Sequence, residues 1–171
     1  MKKKLFLFAA VILFATTGFS QKFNHVIKTS PITLAFGNLN VKYEKPINSK
    51  ASVQIGVFYL YKLFGVEING YGGEAGFRYY FTNAKKEIPS GFYAMPQAKY
   101  STAGSGVDKI ADFSIGAELG YQWAFDSGFA LDLGVGPLYH MITVDDNYTG
   151  GSNQTDNFIF PTATFAIGYA F

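Results

Sequence analysis

Few residues in this chain could carry chemistry. It has no cysteine and two histidines, His25 and His140, so acid–base or nucleophilic catalysis would have to run through one imidazole with a carboxylate to orient it. Asp145, Asp146, Asn147 and Asp156 cluster and could offer hard oxygen ligands to a divalent cation. They lack the every-second-residue spacing of a calcium loop, which favours a solvated segment. Gly70, Gly72 and Ala75 match a dinucleotide-binding glycine pattern, but the residues after them alternate as a strand where that motif needs a helix. Asn147 and Asn153 each begin an Asn-x-Thr glycosylation acceptor. Charged residues fall at even spacings within a segment, Lys42 and Glu44 two apart and Glu74 and Arg78 four apart, and Lys99, Glu118 and Asp132 add single charges on other segments. That spacing puts them on one face of their strands, with both signs close to balance.

The elements that position these residues follow from the pattern. Lys2, Lys3 and Lys4 precede an apolar run over 5–15, and Gly18 and Ser20 supply small residues at a cleavage site. This predicts a secretory signal peptide at 1–20 and one domain at 21–171. The apolar run is shorter than the roughly 18–20 residues of a helical anchor. Loss of three lysines from 14 basic residues leaves 11 against 12 acidic ones. With no basic block, nucleic acid is not expected as a partner. No cofactor is expected.

Glycine is abundant (19 residues), aromatics make up 18% and charge only 15%. The periodicity is two. Over 113–123, Phe113, Ile115, Ala117, Leu119, Tyr121 and Trp123 alternate with Ser114, Gly116, Glu118, Gly120 and Gln122. The same alternation predicts strands over 39–45, 51–62, 73–81, 92–100, 129–141 and 158–171, with 24–35 as an eighth of poor alternation. The inner turns then fall at 46–50, 83–90 and 126–128. The opposite connections fall around Gly37 and at 63–69, 102–109 and 145–156. Pro31, Pro96, Pro137 and Pro161 lie inside these strands, where a missing N–H predicts bulges or strand ends.

Side-chain volume decides which face is inside. The apolar parity carries Phe, Tyr, Trp, Leu and Ile, more bulk than an eight-stranded interior accepts. The other parity carries Gly56, Gly76, Gly116, Gly120, Gly134, Gly136 and Gly168 among the charges. The bulky face therefore points outward and the charges pair within the lumen. Tyr43, Tyr59, Tyr61, Tyr79, Phe81, Tyr100, Trp123, Phe129, Tyr139 and Tyr169 stand near strand ends, where aromatic girdles are expected. The fold class is an all-β, closed, antiparallel, eight-stranded transmembrane up-and-down barrel.

The closing run Phe165 to Phe171 resembles the terminal strand of the small outer-membrane barrels of the OmpA and OmpX type. The segment 31–45, with Phe36, Gly37, Val41, Lys42, Tyr43, Glu44 and Lys45, resembles an uncharacterised family of such barrels from Bacteroides-type bacteria. The resemblance implies an outer-membrane location among its lipids, with Tyr169 and Phe171 read as an assembly signal by the barrel-insertion machinery. Some barrels of this size modify lipid A, and the deacylases among them carry a His-x-Ser arrangement. His140 is followed by Met141, Ile142 and Thr143 instead. The expected role is structural, or surface interaction with a ligand at the outer loops. The alternatives are a lipid A-modifying enzyme, a narrow solute channel, and a secreted lipocalin-like lipid carrier. Against the channel, Arg78, Lys99, Tyr80, Tyr93 and Phe160 are expected to fill the lumen.

Overall fold

The computed structural model describes residues 25–63, 66–82, 89–105, 108–145 and 154–171. The elements are β1 (Val26–Thr29), α1 (Pro31–Ala35), β2 (Asn38–Asn48), β3 (Ala51–Leu63), β4 (Val66–Tyr80), β5 (Gly91–Ser105), β6 (Asp108–Ala124), β7 (Phe129–Asp145) and β8 (Gln154–Ala170). Strands pair antiparallel in chain order, and β1 pairs with β8 to close the barrel. No helix among the described residues is long and apolar enough to cross a membrane.

Register fixes the tilt. Followed around the wall, Lys42 leads through Gly56, Glu74, Lys99, Ser114 and His140 to Phe158. Followed the short way through Lys28 of β1, it leads to Gly168, ten residues along β8. In an eight-stranded barrel that stagger corresponds to strands inclined by roughly 35–45°, with an interior just wide enough for side chains to fill.

The pleat then sorts the side chains. Outward residues are large, apolar and exposed, as at Val57 (67%), Leu119 (62%) and Val135 (64%), while Glu44, Arg78 and Glu118 at 0% face inward. Glycine is needed on the inner parity for contact reasons. A Cβ on Gly120 would stand 2.4 Å from the Leu133 carbonyl and from the Tyr93 ring, and one on Gly136 would stand 1.9 Å from the Ala117 carbonyl.

Three expectations are corrected. The segment 24–35 is not one strand: within its described part, β1 stops at Thr29 and a helical turn follows. The Ser30 hydroxyl accepts a hydrogen bond from Thr33 N–H, and Pro31 follows the cap, so the sequence Ser-Pro starts a helix. Several strands also run further toward the connections opposite the chain termini. β4 begins at Val66, β5 continues to Ser105 and β6 begins at Asp108, so most of 63–69 and 102–109 is strand rather than loop.

The prolines are the third correction. Register shifts occur between Pro46 and Asn48 and between Leu60 and Lys62, and not at Pro96, Pro137 or Pro161. Pro137 and Pro161 are opposite one another in an unbroken β7–β8 ladder. Their nitrogens must therefore face away from each other. On the β7 side the cost falls on the β6–β7 ladder, which lacks pairs at Ala117 and Glu118. On the β8 side it falls on an edge that β1 does not reach, where a missing donor interrupts no ladder. Pro31 lies past the end of β1, as the first residue of α1.

Candidate functional site

Two groups of polar side chains occupy the lumen. The first lies toward the end where His25 and Phe171 exchange backbone hydrogen bonds of 3.2 and 2.9 Å, here termed the lower end. Arg78 reaches Asp132 at 2.7 Å, Glu44 at 3.5 Å and Glu118 at 4.0 Å. Lys28 pairs with Asp132 at 2.9 Å and with Glu44. Two cations thus meet three carboxylates, and hydroxyl donors satisfy the remaining lone pairs. The Tyr80 hydroxyl donates to Glu44 at 2.7 Å, and Tyr93 is placed to donate to Glu118 at 2.7 Å or Asp132 at 2.8 Å. Ser52 donates to Glu44 and Thr164 to Glu118, each at 2.5 Å. The Tyr93 ring also lies under the Arg78 guanidinium, 4.1 Å from its centroid. Gln122 accepts from Arg78 at 2.9 Å and donates to the Pro89 carbonyl at 2.8 Å. Val26, Ala124, Ala130 and Ala170 pack together as a small buried apolar cluster in the strand segments next to this end.

The second group is smaller and lies above. Glu74 is held by Lys42 at 2.7 Å and Lys99 at 3.4 Å, and these side chains retain 9–20% exposure. Across the lumen His140 Nδ1 meets Asp112 at 2.9 Å, and its ring stacks on Phe158 at 5.1 Å. Ser114 is the cross-strand partner of His140, but no hydrogen bond joins them among the described residues. An oriented imidazole is present without a nucleophile engaged. His25 shares a hydrogen bond of 2.5 Å with the Tyr43 hydroxyl and stacks against that ring.

The structure brings together the seven charged residues singled out in the sequence, split as Glu44, Arg78, Glu118 and Asp132 below and Lys42, Glu74 and Lys99 above. Sequence reasoning missed Lys28 and Gln122 as members. Lys28 belongs to the poorly alternating first strand, and its signal was its parity with Val26. Phe160 was counted among the residues filling the lumen, yet it is 60% exposed, on a stretch of β8 that β1 does not pair. Tyr169 is partly exposed at the lower rim with Phe171. The leader 1–20, the acceptors Asn147 and Asn153, and the cation candidates Asp146 and Asn147 lie outside the described residues. Among the described residues, no cluster of three His, Cys, Asp or Glu could hold a metal.

A family model described as a protein of unknown function, DUF3575, matches residues 5–170. The chain belongs to that family. No curated protein and no solved structure matches this DUF3575 chain.

Proposed function

We propose that this DUF3575 chain is a non-enzymatic integral barrel of a bacterial-type outer membrane, exported by its first 20 residues and plugged by its own ion pairs. The observation that carries this reading is the wall. Exposed residues such as Val41, Val57, Phe77, Leu119, Val135 and Ile159 surround a charged, buried interior. In water such a surface would be one contiguous apolar patch far beyond what soluble monomers expose. In lipid it is the required band, and the strand ladders satisfy most of the backbone groups that could not otherwise enter hydrocarbon.

A lipocalin-like carrier needs the reverse arrangement, an apolar lumen and a wet exterior. A solute channel needs a path past Arg78, Tyr80 and Tyr93, all at or below 1% exposure. A lipid A hydrolase needs a nucleophile at His140, and Ser114 is not bonded to it. The aromatic end at Tyr169 and Phe171 is assigned to recognition by the insertion machinery, and surface contacts to the outer connections.

Envelope fractionation, with unheated and boiled samples compared in SDS, tests this. An outer-membrane band whose mobility changes on boiling is expected. A soluble band without a shift overturns the reading in favour of the carrier. Conductance steps in a planar bilayer, or a mass change in lipid A abolished by His140→Ala, would replace it with the channel or the enzyme.

A further inference from the structure

We infer that the lower plug binds one proton of its own, held by Glu118 in a hydrogen-bond chain that runs through Tyr93 to Asp132. The inference concerns the plug alone and holds whatever medium surrounds the wall.

The hydrogens at Tyr93 carry the first argument. Its hydroxyl oxygen lies 2.7 Å from Glu118 Oε1 and 2.8 Å from Asp132 Oδ1. A phenol carries one hydrogen, and two oxygens approach this closely only with a hydrogen between them. With both carboxylates ionised, one of the two contacts would hold none. A carboxylic acid at Glu118 completes the set: Glu118 donates to the Tyr93 oxygen, and Tyr93 donates to Asp132. Thr164 donates to Glu118 Oε2 at 2.5 Å, so the second oxygen remains an acceptor. Glycine at 134 keeps the junction open, since a Cβ there would stand 2.5 Å from Glu118 Oε1 and 2.8 Å from the Tyr93 hydroxyl.

The charge balance agrees independently. Glu44, Glu118 and Asp132 share the plug with Lys28 and Arg78 as its cations, all at 1% exposure or less. Ionised throughout, the group would enclose one uncompensated negative charge, and a buried charge without a partner takes up a proton instead. Distances identify the carboxylate that takes it. Glu44 and Asp132 each contact both cations. The nearest cation to Glu118 among the described residues is Arg78, whose Nη2 stands 4.0 Å away and makes no hydrogen bond. Around Glu118 stand Lys28 of β1, Glu44 of β2, Arg78 and Tyr80 of β4, Tyr93 of β5 and Asp132 of β7. The strands β3 and β8 bring neutral side chains such as Ser52 and Thr164 to this level. The plug is therefore sensitive to pH. Unfolding above about pH 4.3, where a free glutamate ionises, releases the proton to water. The folded state then binds one proton more than the unfolded state, so stability falls as pH rises.

Urea titrations of barrel purified in a non-ionic detergent, run between about pH 5 and about pH 8 on wild type and Glu118→Gln, test this. Glutamine reproduces the neutral form, its amide donating where the acid did. The folding constant of wild type relative to Glu118→Gln should fall about tenfold per pH unit. At about pH 5, Glu118→Gln should stay within about tenfold of wild type, whereas Asp132→Asn, which removes a carboxylate that both cations contact, should lose about a hundredfold or more. A ratio independent of pH, or equal losses in the two variants, overturns the inference. Infrared spectra of the folded wild type in heavy water at neutral pH give a check that needs no variant. The carbonyl stretch of a protonated carboxylic acid is expected there and should vanish on boiling. Its absence from the folded barrel overturns the inference as well.

Discussion

The two halves of the lumen use the same residue types for different ends. In the lower half Arg78, Lys28, Glu44, Glu118 and Asp132 are almost wholly enclosed and bridged by Tyr80, Tyr93 and Gln122. In the upper half Lys42, Glu74 and Lys99 remain partly accessible, under a mouth of inward-facing Phe and Leu. A buried charge network is worth having only when nearly every member is satisfied, because each orphaned charge costs several kcal/mol. In the lower half the carboxylates meet that condition, and of the Arg78 guanidinium only Nη2 lacks a hydrogen-bond partner. The upper half does not: Gln97 Nε2, Glu74 Oε1 and Asp112 Oδ1 are buried there without hydrogen-bond partners.

Substitutions can break this contrast, and their expected effects descend in order. Arg78→Ala should be the most damaging, removing one of two cations facing three carboxylates. A loss of about 3–5 kcal/mol is expected, read as a lower urea midpoint of the folded band. Gly120→Ala comes next, because its Cβ meets both the Leu133 carbonyl and the Tyr93 ring. About 1–3 kcal/mol is expected in the same titration. Gly70→Ala, on the same parity in the upper half, meets Ala103 Cβ and the Thr102 carbonyl at 3.0 Å. Its cost should stay below that of Gly120→Ala. Lys99→Gln should change stability least, within about 1 kcal/mol, since its ion pair is partly solvated and Lys42 still holds Glu74. If Lys99→Gln unfolds the barrel as readily as Arg78→Ala, the halves are not functionally distinct.

Much of this was legible in the sequence because a strand's period of two leaves little freedom. Once Phe113 to Trp123 is read as alternating, Glu118 must share a face with Gly116 and Gly120, and glycine belongs where Tyr93 needs room. What was not legible depended on context outside a single strand. β1 is too short to display a period, so Lys28 was not recognised as a partner for Glu44 and Asp132. Ser30 and Pro31 together carried a helix-start signal, which the barrel expectation of a continuous strand overrode. The prolines of β5, β7 and β8 were misread because their cost depends on which neighbour each nitrogen faces. That is a property of register, invisible to one strand alone.

The four-residue β1 also has a consequence for how the barrel is made. Every other pairing joins neighbours in sequence, so β2 to β8 can zip progressively from hairpins, each with a short loop to close. The last joint is different. His25 meets Phe171 across almost the whole chain, so its entropy of closure is the largest in the molecule, while β1 offers the fewest pairs to offset it. The ring cannot form until the final residues are available. Before then the chain is a curled sheet with two open edges, and Lys28 is the cation that waits on one of them for Asp132 on the other side of the gap.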